Sequence, residues 1–277
     1  MTTIDVSVII PHYNALSTIE NSVRSVLSQT VAVKEIIVVD DCSGDFSALL
    51  SILASFGQIV PVRAVRLDIN SGASEARNKG VELAVGRYLA FLDADDVWHH
   101  DKVEIQYALM EQYKLKISGH LYIQDLNIRP MFSLTPFRTR SISAMRFVFG
   151  NPFFTPTVMV RRDGFIPFDS RYRRVDDYKC WFMNIRKKNN AFIMLPLAGG
   201  FKSAIGVSGL TASLQVMHES YLLVLKDLYR EGHVSPLFFG LALFFEYVKY
   251  PMRIVKKSIT TCHTNFKLQL NIIVKKK

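Results

Sequence analysis

The stretch "GRYLAFLDADDVWHHDKV", Gly86 to Val103, decides how this chain is read. Val85 through Leu92 reads as a buried strand, apart from Gly86 and Arg87. It then ends in three carboxylates, Asp93, Asp95 and Asp96. Like charges this close repel and raise one another's pKa unless something positive offsets them. A cation, a basic side chain, a helix N-terminus or open water would each serve. Asp95 or Asp96 could also cap a helix starting near Trp98.

Upstream, apolar runs alternate with helical patterns. "VSVII" (6–10), "EIIVVD" (35–40) and "IVPVRAVRL" (59–67) read as strands. Between and after them come helical patterns: Ile19, Val23, Val26 and Leu27 on one face, Ala48 to Phe56, and "SEARNKGVELAV" (74–85). This alternation predicts an α/β fold, a Rossmann-like, mostly parallel sheet with helices on both faces. Ligands in such sheets bind beyond the carboxyl ends of the strands. Asp40 and Asp41 fall at one such end and Asp93 to Asp96 at another, so the acids share a rim.

After about residue 115 the alternation breaks. "KISGHLYIQDL" and "FTPTVMVRRDGF" suggest strands of a mixed sheet, "DDYKCWFMNIRKK" (176–188) a helix and "AFIMLPL" (191–197) a strand. From about 213 the chain reads as helical, with breaks near Gly232 and Pro251. The expected organisation is a catalytic domain over 1–212, with halves 1–110 and 111–212, and a basic helical region over 213–277.

The chain has 277 residues, 49% of them hydrophobic, enough for a sizeable core. Cys42, Cys180 and Cys262 are too scattered for a disulfide framework or zinc site, which points to a reducing, cytoplasmic compartment. The N-terminus has no basic n-region and reads as a first strand. The formal net charge is +10, and residues 249–277 carry eight Lys or Arg and no acid. The apolar run Leu237–Phe245 is too short to span a bilayer, which needs roughly 20 residues. With Lys249, Arg253, Lys256 and Lys257 following, it predicts an interfacial helix on an anionic membrane surface, the alternative being a helix packed on the domain.

Two acidic clusters on one rim suit a hard divalent cation, Mn²⁺ or Mg²⁺, bridging carboxylates to substrate phosphates. There is no GxxxxGK[ST] and no GxGxxG after the first strand, so no glycine cradle holds the phosphates. His99 and His100 are adjacent, cannot share a helical face, and are expected at the surface.

"SVIIPHYN" (7–14), "EIIVVDDCS" (35–43), "NSGASEARNKG" (70–80) and "GRYLAFLDADD" (86–96) resemble the successive signatures of family 2 glycosyltransferases. The resemblance implies an inverting enzyme with the type A, nucleotide-diphospho-sugar transferase fold. "RRVDDYKCWFMNI" (173–185) resembles the acidic pair ahead of an aromatic helix. "FKSAIGVSGLTAS" (201–213) resembles a closing loop, here with Phe201-Lys202 and no His. By position, Pro11 and Tyr13 would line the base pocket, and Asp41 would accept from a uracil-type base. Arg77 would face the base or diphosphate, Asp93 the ribose, Asp95 the metal, and Asp177 would be the base toward the acceptor hydroxyl. Asp177 could instead be a helix-start acid favoured by the macrodipole.

The implied reaction moves a hexosyl or N-acetylhexosaminyl group from a UDP-linked donor to a glycan or lipid-linked acceptor, as in bacterial-type surface polysaccharide synthesis. It would take place on the inner face of the cell membrane. A nucleotidyltransferase would want a glycine- and lysine-rich signature near the first strand, which "PHYN" does not supply. A nucleic-acid-binding protein would interleave basic and aromatic residues on a sheet face, whereas here the basic residues crowd one C-terminal segment. No nucleic-acid partner is expected.

Overall fold

The computed structural model describes residues 2–56, 60–123, 137–186, 189–200 and 213–274. It contains two compact units, Met1–Ser203 and Ala204–Lys277. The expected boundary after residue 212 and the closing-loop segment lie outside the described residues.

The first unit begins with β1 (Thr3–His12), α1 (Leu16–Leu27), β2 (Ala32–Asp40), α2 (Phe46–Ala54), β3 (Val62–Arg66), α3 (Ala73–Leu83) and β4 (Tyr88–Phe91). It continues with β5 (Asp96–Trp98), α4 (Lys102–Gln112), β6 (Ile117–Ile123), β7 (Thr139–Arg140), β8 (Met159–Arg161), α5 (Asp176–Ile185) and β9 (Asn190–Gly200). Among the described residues nine strands form one sheet, ordered β3-β2-β1-β4-β8-β6-β9-β5, with β7 beside β9. The pairs β1–β2, β2–β3 and β1–β4 are parallel. Beyond β4 the sheet is mixed, with β8 antiparallel to β4 and β6, and β9 parallel to β6.

Side chains alternate across a strand, so a strand buried on both faces reads as a continuous apolar run. In β1, Val6, Val8 and Ile10 join one core cluster with Ile19 and Val23 of α1 and Leu49 of α2. Ile9 points the other way, and α3 approaches so closely there that a Cβ on Gly80 would run into it. On that second face Phe91 meets Phe168 and Trp181, with ring centroids 5.5 Å apart in each case. Helices therefore cover both faces, as the alternation predicts. Strand order reverses between β1 and β4, the switch point where such sheets open a crevice at their carboxyl ends.

Three local expectations are corrected. Residues 96–98 form β5, pairing with β9, rather than the start of a helix; α4 begins at Lys102. Antiparallel pairing to β9 and the anchoring of Trp98 N–H by Ser25 Oγ (3.1 Å) hold this segment extended. The stretch 154–165 is only partly strand: Pro156 favours a 3-10 turn at Thr155–Thr157 before β8. In the second unit α6 (Leu214–Arg230) ends before Gly232 at φ +72°, and α7 (Pro236–Val274) runs straight through Pro251. Proline removes one ladder hydrogen bond without forcing a stop when other contacts hold the two sides. Here Arg253 reaches back across Pro251 to Glu246, Nη1 to Oε1 2.9 Å.

Candidate active site

The carboxyl ends of β1 and β2 meet at a buried pair. His12 Nδ1 lies 2.8 Å from Asp40 Oδ1, and both side chains are fully buried. Ala15 N–H donates to His12 Nε2 (3.3 Å), so the ring proton sits on Nδ1 and points at Asp40. Ser43 N–H also donates to Asp40 (3.0 Å). The pair fixes the turn that carries Tyr13, 52% exposed, beside half-buried Pro11.

Asp41 is buried, and its carboxylate accepts from Ser71 N–H (2.6 Å), Gly72 N–H (2.8 Å) and Asn70 Nδ2 (3.1 Å). Gly72 sits at φ +96°, a conformation that a side chain rarely adopts, and this aims its N–H at Asp41. A carboxylate offers about four lone-pair sites. Three are taken by this loop.

The acids after β4 find different partners. Arg77, on α3 and buried, donates from Nη2 to Asp93 Oδ1 (2.8 Å) and from Nη1 to Asp176 Oδ2 (3.2 Å). Its guanidinium lies over the Phe168 ring at 5.2 Å, and its Nε has no hydrogen-bond partner. Burial works against this charge, but Asp93 and Asp176 more than offset it and push its pKa up. Ser74 Oγ also donates to Asp176 (2.8 Å). Asp96 accepts from Tyr122 Oη at 2.8 Å; burial, then Asp96 itself, raises the phenol's pKa. A basic side chain thus offsets Asp93, and a phenol proton meets Asp96. Asp95 lies half-buried between them.

Asp177 follows Asp176 at the start of α5. Its Oδ2 accepts from Asn151 Nδ2 (2.8 Å), and Oδ1 accepts from Tyr178 N–H (2.8 Å). Burial first, then the charge of Asp176, push its carboxyl up to about 7, against the lowering effect of Arg77 and the two hydrogen bonds. Val175, just before the pair, stands at φ +61°, unusual for a β-branched residue. Such outliers cost about 1–3 kcal/mol and collect at functional sites.

The arrangement brings Arg77, Asp93 and the 176–177 pair together through one guanidinium. Pro11, Tyr13 and Asp41 stand at the ends of β1 and β2, and Asp95 at the corner between β4 and β5. Sequence reasoning did not single out Asn151, Tyr122, Ser74 or the His12–Asp40 pair. "FGNPFF" (149–154) offers only an Asn-Pro turn signal, and the others depend on contacts 26 or more residues apart. His99 and His100 converge after all: their ring centroids lie 4.2 Å apart with the planes tilted by 32°, and their nitrogens face Asp101 Oδ2 at 3.5 and 3.1 Å. They do so in the turn between β5 and α4, closed by Lys102 N–H donating to the His99 carbonyl (3.0 Å), not on a helical face. Asp93, Asp95 and Asp96 carry the hard oxygen donors that Mg²⁺ or Mn²⁺ takes, but among the described residues the group whose donor atoms lie within 4.8 Å of one another is His99, His100 and Asp101.

A family model described as "Glycosyl transferase family 2" matches residues 7–168, from β1 to just before α5. The chain belongs to this family. Among curated relatives, the putative teichuronic acid biosynthesis glycosyltransferase TuaG of Bacillus subtilis is 50% identical over 106 residues, 38% of this chain and 41% of TuaG. The amylovoran biosynthesis glycosyltransferase AmsB of Erwinia amylovora is 32% identical over 190 residues, 64% of this chain and 63% of AmsB. The chain thus spans less than two thirds of either relative. The UDP-Glc:alpha-D-GlcNAc-diphosphoundecaprenol beta-1,3-glucosyltransferase WfgD of Escherichia coli is 32% identical over 186 residues, 67% of this chain and 71% of WfgD. Among solved structures, S. aureus TarS in complex with UDP-GlcNAc superposes with a TM-score of 0.65 at 19% identity, covering 81% of this chain and 66% of that one. This likeness shows the fold, that of type A glycosyltransferases.

Proposed function

We propose that this chain transfers a hexosyl or N-acetylhexosaminyl group from a nucleotide-diphospho-sugar to a hydroxyl of a glycan or lipid-linked acceptor, with inversion. One observation carries the reading: Arg77 ties the donor-side acid Asp93 to Asp176, next to an Asp177 carboxyl pushed up to about 7. A base works best with a pKa near the working pH. Asp177 takes the acceptor hydroxyl's proton while its oxygen attacks the anomeric carbon. The bond to the diphosphate oxygen breaks on the opposite face and its electron pair leaves with the nucleotide, which inverts the centre.

Tyr13 and Pro11 flank the base, and the remaining acceptor site of Asp41 receives an N–H from a uracil-type edge. Asp93 faces the ribose, and Arg77, whose Nη groups keep N–H donors beyond those given to Asp93 and Asp176, faces base or diphosphate. A Mn²⁺ or Mg²⁺ ion would be held by Asp95, and would supply charge stabilisation to the departing diphosphate. The names of WfgD and its relatives make UDP-glucose the first donor to test and a diphospho-lipid-linked sugar the first acceptor. Surface polysaccharide synthesis is the process in view.

We also assign α7 to an anionic membrane surface, with the protein peripheral on the cytoplasmic side. Leu237, Phe244, Val248, Met252 and Val255 are exposed and share one helical face. No helix among the described residues is long and apolar enough to cross a membrane. Lys249 and Arg253 pair with buried Glu246 (3.5 and 2.9 Å), so apolar insertion carries more of the docking than their charge. Cys42 and Cys180 are free thiols, in keeping with a reducing compartment.

Thermal melting with a panel of nucleotide sugars and Mn²⁺ tests the donor reading, because a ligand that binds only the native state raises the melting temperature. Selective stabilisation by UDP-sugars is the expected result. Equal melting with every nucleotide sugar and with buffer would contradict it.

A further inference from the structure

The segment from Asn151 to Phe154 is tied down at both ends. Asn151 Nδ2 donates to Asp177, and Asn151 Oδ1 accepts from Phe153 N–H (3.1 Å). Phe153 is buried against Phe147 and Phe192 (6.3 and 5.8 Å), in a space that exists because residue 119 is glycine; a Cβ there would run into its ring. Phe154 has extended backbone, φ −86° and ψ 135°, so its side chain leaves on the opposite side from Phe153. Its carbonyl accepts from Thr157 N–H (2.9 Å) and Thr157 Oγ1 (2.7 Å).

The Phe154 ring is stacked on Tyr122, centroids 4.8 Å apart and planes 15° apart, yet 51% of the residue stays exposed. Tyr122 donates to Asp96 on the acidic corner. Three extended residues reach at most about 10 Å, so Phe154 lies within a sugar ring or two of Asn151 and the carboxylate it holds. An apolar plate is thus tied through Tyr122 to the acidic corner and through the 151–154 segment to Asp177. Exposed aromatic faces with neighbouring carboxylates suit a pyranose: its C–H face covers the ring, and its hydroxyls remain free for the acids.

We infer that Phe154, backed by Tyr122, is the platform on which a pyranose ring of the acceptor stacks, presenting its hydroxyl to Asp177. This rests on the glycosyl-transfer reading of the same site. The acceptor class is therefore a sugar at the end of a glycan or lipid carrier, not a bare alcohol or an amino-acid side chain. The preformed stack avoids the cost of ordering the ring on binding.

The test uses the full chain, UDP-glucose and an α-linked N-acetylglucosaminyl diphosphate bearing a short alkyl chain. Phe154→Ala is expected to raise the KM of this probe about tenfold, the loss of one good aromatic contact. Hydrolysis of donor without acceptor should be unchanged, Phe154→Tyr should restore the wild-type KM, and Tyr113→Ala, an exposed aromatic elsewhere, should have no effect. A Phe154→Ala KM within twofold of wild type overturns the platform while leaving the transferase reading intact. Saturation-transfer NMR of the probe gives a second readout independent of turnover. If wild type turns nothing over but Phe154→Ala loses the probe's signal, the platform stands and the reaction assignment falls. Equal signal in both proteins, or none in wild type, overturns the platform.

Discussion

Asp177→Asn should destroy turnover and stabilise the fold at the same time. The ordinary Asp pKa lies near 3.8 and that of Asp177 in the folded chain near 7. A carboxyl whose folded pKa is raised contributes stability that is fully present below the unfolded value and lost as pH rises through the folded one. Between about pH 4 and 7 the unfolded chain releases this proton and the native chain keeps it. Each unit of difference is worth about 1.4 kcal/mol, so the native state gives up about 4 kcal/mol by pH 8 as an upper figure. Asparagine removes that loss, but its single amide oxygen can accept from only one of Tyr178 N–H and Asn151 Nδ2, and the N–H₂ facing the other donor returns about 1–3 kcal/mol. The mismatch is the same at every pH, whereas the ionisation cost is not. The diagnostic is therefore the change with pH: Asp177→Asn minus wild type should gain about 2–3 kcal/mol between pH 5 and pH 8. At about 2–4 °C per kcal/mol for a chain of this size, the difference in melting temperature should widen by roughly 4–12 °C. Turnover with saturating donor and acceptor should drop about 10²–10⁴-fold. A helix-start role predicts the reverse, a loss of about 0.3–1 kcal/mol with near-normal turnover. A melting difference that does not move between pH 5 and pH 8 would refute the reasoning.

Arg77→Met leaves buried Asp176 and half-buried Asp93 without their shared cation, which should cost about 3 kcal/mol in urea unfolding at pH 7. Adding Asp176→Asn should recover part of that loss, and strict additivity of the two losses would rule out the bridge. Asp95→Asn should abolish the Mn²⁺-dependent part of UDP affinity with unchanged melting; calorimetry showing equal wild-type affinity with and without Mn²⁺ would remove the metal from the scheme. Phe244→Ser with Met252→Ser, in the full chain, should release the protein from anionic vesicles and leave turnover of a short soluble acceptor near normal. Equal sedimentation of the two proteins would count against α7 as the docking helix.

The alternation of apolar runs and helical patterns made the first half of the fold legible, because β1 and β2 are buried on both faces and α1 on one. The acidic rim was legible for the same reason: Asp40 and Asp93 interrupt those runs at their carboxyl ends. Arg77 was not. Its spacing on α3 is that of a solvated residue, and only two carboxylates, 16 and 99 residues away in sequence, make a buried bridge of it. β5 was misread for a similar reason. Three residues carry too little periodicity to reveal a strand whose partner, β9, lies about a hundred residues on. Pro251 marked a helix end by its own chemistry, and the Glu246–Arg253 pair across it is a feature of the folded helix. Asn151 carries only an Asn-Pro turn signal and Tyr122 no local signal, and what singles them out is the carboxylate each one meets.

The central claim is glycosyl transfer, and product formation tests it most directly. The full chain would be incubated with UDP-glucose, Mn²⁺ and the N-acetylglucosaminyl diphosphate probe, and the products read by mass spectrometry and NMR. The account predicts a probe heavier by one hexose, joined through a linkage inverted relative to the donor, with UDP released in equal amount and Asp177→Asn inactive. A retained anomeric configuration, or wild-type product formation by Asp177→Asn, would contradict it.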